Sequence, residues 1–183
     1  MKKLLFGILI IMTIFTLIGC AQVKAYVKTL EQPKDNEKIE DARGILDKVL
    51  EHIAESDHEL SFEDGKLVDS ELGVPHFEVL PISEIKHFDE KDVVDGFIVH
   101  PVVDVDNPKL LIVVEAVDKK ASISLNDAMR KVKSDQYAEF KDGGMITEYL
   151  INNNETVRQG NFLIYVTWEK AEDIVKVFER HVR

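Results

Sequence analysis

Six histidines and 34 carboxylates are the side chains of this sequence with most capacity for chemistry. His76, His87 and His100 lie among acids, with Glu78 two residues beyond the first and Asp89 two beyond the second. Three imidazoles meeting in space would make a zinc site. Separate histidine and acid pairs on the surface are the plainer expectation. His52 and His58 are six residues apart, not the four that stack two imidazoles on one helical face for zinc. Asp104, Asp106 and Glu115 fall at the first, third and twelfth positions of a calcium loop, but Pro108 and Lys109 occupy the fifth and sixth, where the sixth needs glycine. An Asp-rich hairpin turn is expected there. No Gly-x-Ser-x-Gly or Gly-x-x-x-x-Gly-Lys occurs, so neither a serine elbow nor a phosphate loop is expected. Carboxylates are so numerous that proximity alone marks no glycosidase pair. The reading is of no catalytic residue, no metal and no cofactor.

Cys20, the single cysteine, follows Lys2, Lys3 and an apolar run from Leu4 to Ile18 broken only by Gly7, Thr13 and Thr16. That three-part pattern is a secretory signal. The run is shorter than the roughly 20 residues a spanning helix needs. Leu17-Ile18-Gly19-Cys20 resembles the lipobox of bacterial lipoproteins, in which the cysteine sulfur receives a diacylglycerol and the chain is cut before it. The resemblance implies a signal peptide over residues 1 to 19 and lipidation at Cys20, with a cell-membrane location on the extracytoplasmic face. Two acyl chains hold a protein where one gives only a marginal grip. An acylated Cys20 leaves no thiol for a disulfide, a metal or a nucleophile.

Without residues 1 to 19 the chain keeps 164 residues and loses Lys2 and Lys3, so its net charge is 21 minus 34, or −13. Residues 47 to 95 hold 15 acids against four bases, a net −11. Nucleic acid is thereby excluded as a partner, because its phosphates would be repelled. The segment 47 to 95 is either a solvated face or the docking surface for a protein or envelope partner.

These residues must be positioned by elements that local patterning outlines. Residues 20 to 36 are the lipid anchor and a tether, and 37 to 183 a single domain. Ile39, Ala42, Ile45, Leu46, Val49, Leu50 and Ile53 share one stripe, predicting an amphipathic helix from Glu37 to about Ser56. Asp64-Gly65 suits the two-residue turn of a small hairpin. Residues 70 to 90, with Gly73, Pro75 and Pro81, read as an ordered loop with at most a helical turn near 83 to 87. The runs VVDGFIVHPVV and KLLIVVEAV predict an antiparallel pair of buried strands. Ser124, with Asp127 three residues on, is the expected N-cap of a second helix ending at Gly143-Gly144. MITEYLI predicts a short helix, NFLIYVTW a strand, and the spacing of Ala171, Ile174, Val175, Phe178 and Val182 a closing helix. Trp168 and Tyr149 fit either core or rim. The fold class is α+β, a small antiparallel sheet of three to five strands packed against amphipathic helices.

The lipobox, MITEYL, VRQGNFLIYVTW and the terminal KAEDIVKVFERHV together resemble a family of small Gram-positive lipoproteins built on a domain of unknown function. The likeness runs over roughly 38 to 183, with Tyr149 and Gly160-Asn161-Phe162 in the places of its aromatic segment and its Gly-Asn/aromatic strand. It implies fold and location and carries no activity. The functional reading is a membrane-anchored, non-enzymatic binding or accessory module at the cell surface. Its alternatives are a carboxylate-based cell-wall hydrolase and a small-ligand or cation receptor. If Cys20 is the acyl acceptor, Cys20→Ser removes the sulfur and the variant should take up no labelled palmitate in growing cells; equal labelling of both proteins would exclude it.

Overall fold

The computed structural model describes residues 41 to 182 except 103 and 105. The signal region, Cys20 and the tether lie outside the described residues.

The first helix, α1 (Ala42–Ser56), begins where the Asp41 side chain accepts from the Gly44 N–H at 2.6 Å. That cap satisfies one of the orphan donors of the first turn and sets the start of α1 at Ala42. Its stripe of Ile45, Leu46, Val49, Leu50 and Ile53 is buried as the spacing predicts. A two-residue hairpin follows, β1 (Leu60–Glu63) against β2 (Lys66–Asp69). Asp64 and Gly65 both take positive φ, 49° and 77°, the left-handed pair that a tight hairpin turn requires. The Gly65 carbonyl accepts from Arg43 Nη2 at 3.0 Å, which ties the turn to α1.

The main sheet has the order β3-β4-β5-β7-β6, all antiparallel, from β3 (Phe77–Pro81), β4 (Val93–Pro101), β5 (Leu110–Ala116), β6 (Glu155–Gln159) and β7 (Phe162–Thr167). Two of these strands depart from the expectation. The stretch read as a loop contains β3, and β6 was not anticipated as a strand. Both are edges, paired on one side only, and their sequences are short and polar or Pro-bounded as edges tolerate. Their strand character comes from the partner's hydrogen bonds, with Val79 opposite Val99 and Val157 opposite Ile164.

The helix α2 (Lys119–Phe140) starts six residues earlier than the Ser124 cap implies, because Asp118 accepts from the Ala121 N–H at 2.8 Å. Inside the helix Ser122 donates back to the Lys119 carbonyl at 2.8 Å. Gly144, at φ 87°, then redirects the chain into α3 (Met145–Asn152). The last helix, α4 (Ala171–His181), has Glu172 and Asp173 in its first turn and Arg180 and His181 in its last, as the helix dipole favours.

Two layers of side chains flank the sheet. On one face α1 and α4 pack on Leu111, Val113, Ile164 and Val166. On the other, Leu125, Met129 and Val132 of α2 pack on Ile112, Val114, Leu163 and Tyr165. Trp168 belongs to the first layer, its ring 4.6 Å from that of Phe77, whereas Tyr149 is exposed. At the Asp64-Gly65 turn, a Cβ on Gly65 would lie 1.9 Å from Arg43 Nη2 and at a φ that L-residues resist. Gly65→Ala is therefore expected to lose about 1–2 kcal/mol in urea unfolding.

Candidate functional site

The second half of α2 faces β3, β4, the start of β5 and the β4–β5 connection. A cleft of about 560 Å³ opens there. Ile98 and Leu110 from the sheet, Val132 and Phe140 from α2, and Ile85 from the segment between β3 and β4 give it an apolar floor. Glu78, Lys86, His87, His100, Asp104, Lys109, Asp135 and Glu139 supply its polar rim. The volume and mixed lining are those of a small-molecule site.

Two imidazole and carboxylate pairs stand on the rim. His87 Nε2 is 2.7 Å from Asp135 Oδ2 of α2, and His100 Nε2 is 3.0 Å from Glu78 Oε1 of β3. The second pair follows directly from register, since Glu78 and His100 are opposite each other across β3 and β4. His100 Nδ1 also lies 3.1 Å from the Pro101 carbonyl, so only a ring bearing two N–H groups donates to both neighbours. His87 holds its place at φ 98°, a conformation rarely taken by a residue with a side chain. Strain of that kind, costing about 1–3 kcal/mol, is concentrated at functional sites.

Of the three histidines singled out in the sequence, the structure brings two to this cleft. His76 is elsewhere, 4.0 Å from Asp69 and stacked on Phe77. The sequence neighbours are not the partners: Glu78 meets His100 rather than His76, and Asp89 binds Lys91 while His87 crosses to Asp135. Among the described residues no group of three or more histidine, cysteine, aspartate or glutamate side chains could hold a metal ion, and this holds for His52 and His58 as well. Asp104 accepts from the Asp106 N–H at 3.1 Å in the connection between two antiparallel strands, and Glu115 sits in β5 opposite Asp95. The Asp-rich turn is observed.

Beneath the rim lies a polar network that sequence reading missed. Gln136 is buried on α2, and its Oε1 accepts from Tyr165 Oη at 2.6 Å. Thr167 Oγ1 is 2.8 Å from the same oxygen and 3.1 Å from Tyr165 Oη, so its one proton serves either acceptor. Gln136 Nε2 donates to the Pro108 carbonyl at 2.6 Å, which ties the helix to the β4–β5 connection. The signal available in the sequence was slight: one glutamine on the apolar stripe one turn after Val132. Lys109, beside Pro108, pairs with Glu169 at 2.9 Å and lies 5.2 Å over the Trp168 ring.

Glu115 is the carboxyl pushed above its ordinary range, by burial first and then by the charges of Asp41 and Asp95. It is not among the cleft residues. A glycosidase acid would need that shift within the cleft, beside the scissile bond.

No family model matches the chain, and no curated protein or solved structure is significantly similar to it.

Burial pushes the Tyr165 phenol up to about 12, against a smaller downward effect of its bond with Thr167. An unfolded tyrosine loses its proton near 10. Between those values the folded state holds a proton that the unfolded chain releases, so this contribution is whole below about pH 10 and is lost as pH rises towards about 12. The loss amounts to about 2–3 kcal/mol. Urea midpoints should fall over that window in the native protein and markedly less in Tyr165→Phe.

Proposed function

We propose that this chain is a lipid-anchored lipoprotein of the extracytoplasmic face of a bacterial membrane, akin to the small Gram-positive lipoproteins it resembles. Its domain is a non-enzymatic module that binds a small amphipathic ligand in the cleft over α2. The cleft carries this reading. It joins an apolar floor to a charged rim, its lining contains no serine, threonine or cysteine, and its most strained residue, His87, faces Asp135 on that rim. Anchoring is supported by the signal pattern and by Cys20. Among the described residues no helix is long and apolar enough to cross a membrane.

The acidic segment 47 to 95 is the weaker candidate for a docking surface, because many of its acids are already engaged. Asp47 pairs with Arg43, Glu51 with Lys48, Glu78 with His100 and Asp89 with Lys91. Asp69 accepts from the Glu71 and Leu72 backbone N–H groups, which hold its carboxyl below the usual range.

A thermal-shift survey of small amphipathic compounds against the full-length protein in detergent tests the reading. A ligand at a hundredfold excess over its Kd stabilises the folded state by about 2.7 kcal/mol. Stabilisers should be found, and their effect should vanish in the His87→Ala, His100→Ala double variant. Compounds that stabilise both proteins equally would place binding outside the cleft.

A further inference from the structure

The helix α3 is apolar on two sides. Thr147, Leu150 and Ile151 are its buried residues, and it packs on α2. Met145, Ile146 and Tyr149 lie on the opposite side, with Met145 and Tyr149 one turn apart, and are 88%, 77% and 58% exposed. Met145 and Ile146 are the two most exposed large apolar side chains among the described residues. A helix that is apolar all round normally has cover on both sides. Shortly before it in the chain, Tyr137 of α2 is exposed between Lys133 and Lys141, which stand one turn to either side.

Area and reach favour a lipid surface as the cover. With eight residues α3 is about 12 Å long, so its outward face is far smaller than the roughly 800 Å² each partner gives to a stable protein interface. A bilayer needs no matched shape, and a domain already tethered to it can use a weak contact, because the effective concentration is high. Twenty residues lie between Cys20 and Asp41 and can span at most about 70 Å, against a radius of gyration of about 14 Å for a domain of this length. Charge then selects the side. Residues 47 to 71, which form most of α1 and the hairpin, hold nine acids and two bases, a net −7, and pack on the α1 face of the sheet. Residues 119 to 149, from α2 on the other face into α3, hold five acids and six bases, a net +1. An anionic lipid surface repels the first group and not the second, so it turns α2 and α3 towards itself.

We propose that the outward face of α3 rests on the lipid bilayer that holds the anchor, with Met145 and Ile146 at the boundary of the acyl chains, the Tyr149 ring at headgroup level and the ammonium groups of Lys133 and Lys141 among the phosphates. This contact rests on Cys20 being the acyl acceptor and adds the side of the domain that meets the membrane. The acidic hairpin is then held away from the surface.

Quenching by lipid-borne nitroxide tests the contact. The lipidated protein carrying Asn152→Cys or Leu72→Cys is labelled with nitrobenzoxadiazole and placed in vesicles of phosphatidylcholine and phosphatidylglycerol with nitroxide on the acyl chains. Asn152 is exposed on the side of α3 that carries Met145 and Tyr149, and Leu72, 74% exposed beside Glu71, controls for exposure alone. Quenching at 152 should exceed that at 72 at least about threefold, and Met145→Ser with Ile146→Ser should remove the difference. The melting midpoint of that double variant should stay level, since both side chains are exposed. Equal quenching at the two positions, quenching at neither, or quenching that survives the double change would overturn the inference, while co-flotation of the protein with vesicles still upholds the anchor. A blue shift at 152 that grows with protein density without quenching would show that a second copy covers the face, and would overturn it too. Label taken up by the protein without an added cysteine would reveal a free Cys20, and would overturn the anchor and this contact together.

Discussion

The structure depends on one constraint: β5 and β7 are buried on both faces. Every residue from Leu111 to Val114 and from Phe162 to Thr167 is buried, in an antiparallel sheet that could have left one face to water. Such strands are stable only between two layers of helices. α1 and α4 meet that need on one side. The other side falls mainly to α2, 22 residues long with a buried run from Ala121 to Val132, joined by Ile82, Ile85 and Phe88 from the segment between β3 and β4. A helix of that length extends about 33 Å, whereas a seven-residue strand extends about 24 Å.

The second half of α2 forms one wall of the site. Past Val132 the buried face of α2 becomes polar, and Gln136 replaces apolar packing with bonds to Tyr165, Thr167 and Pro108. Those bonds hold α2 against β7 and the β4–β5 connection beside the cleft. The cleft is thus walled by elements whose positions are fixed by burial elsewhere. Its local cost, the positive φ of His87, is carried by the core beneath.

How far sequence reaches is clearest when elements are taken one by one. The stripe of α1 and the spacing of α4 predicted those helices, and the β-branched runs predicted β4, β5 and β7, because burial imposes a period that a chain displays by itself. Asp64-Gly65 announced its turn for a similarly local reason: few residues accept two positive φ values in succession. The start of α2 was misplaced because Asp118 and Ser124 are both good caps, and the difference lies in which one finds a free N–H. β3 and β6 were hidden because an edge strand borrows its hydrogen bonds from a neighbour and need not show alternation.

The sequence by itself determined the elements whose faces are periodic, the α+β class that follows from their mixture, and the residue types available for chemistry. Which of those residues meet was decided only by tertiary structure. His87 and Asp135 are 48 positions apart, and no local rule brings a strained loop residue to the far end of a helix. His100 and Glu78 meet because β3 pairs with β4 in one register, and His76 is left aside by that same register. Local periodicity reports which side of an element faces the core. Convergence depends on how the covered sheet, the long helix and the edge strand are set against each other, and that geometry is a property of the packed whole.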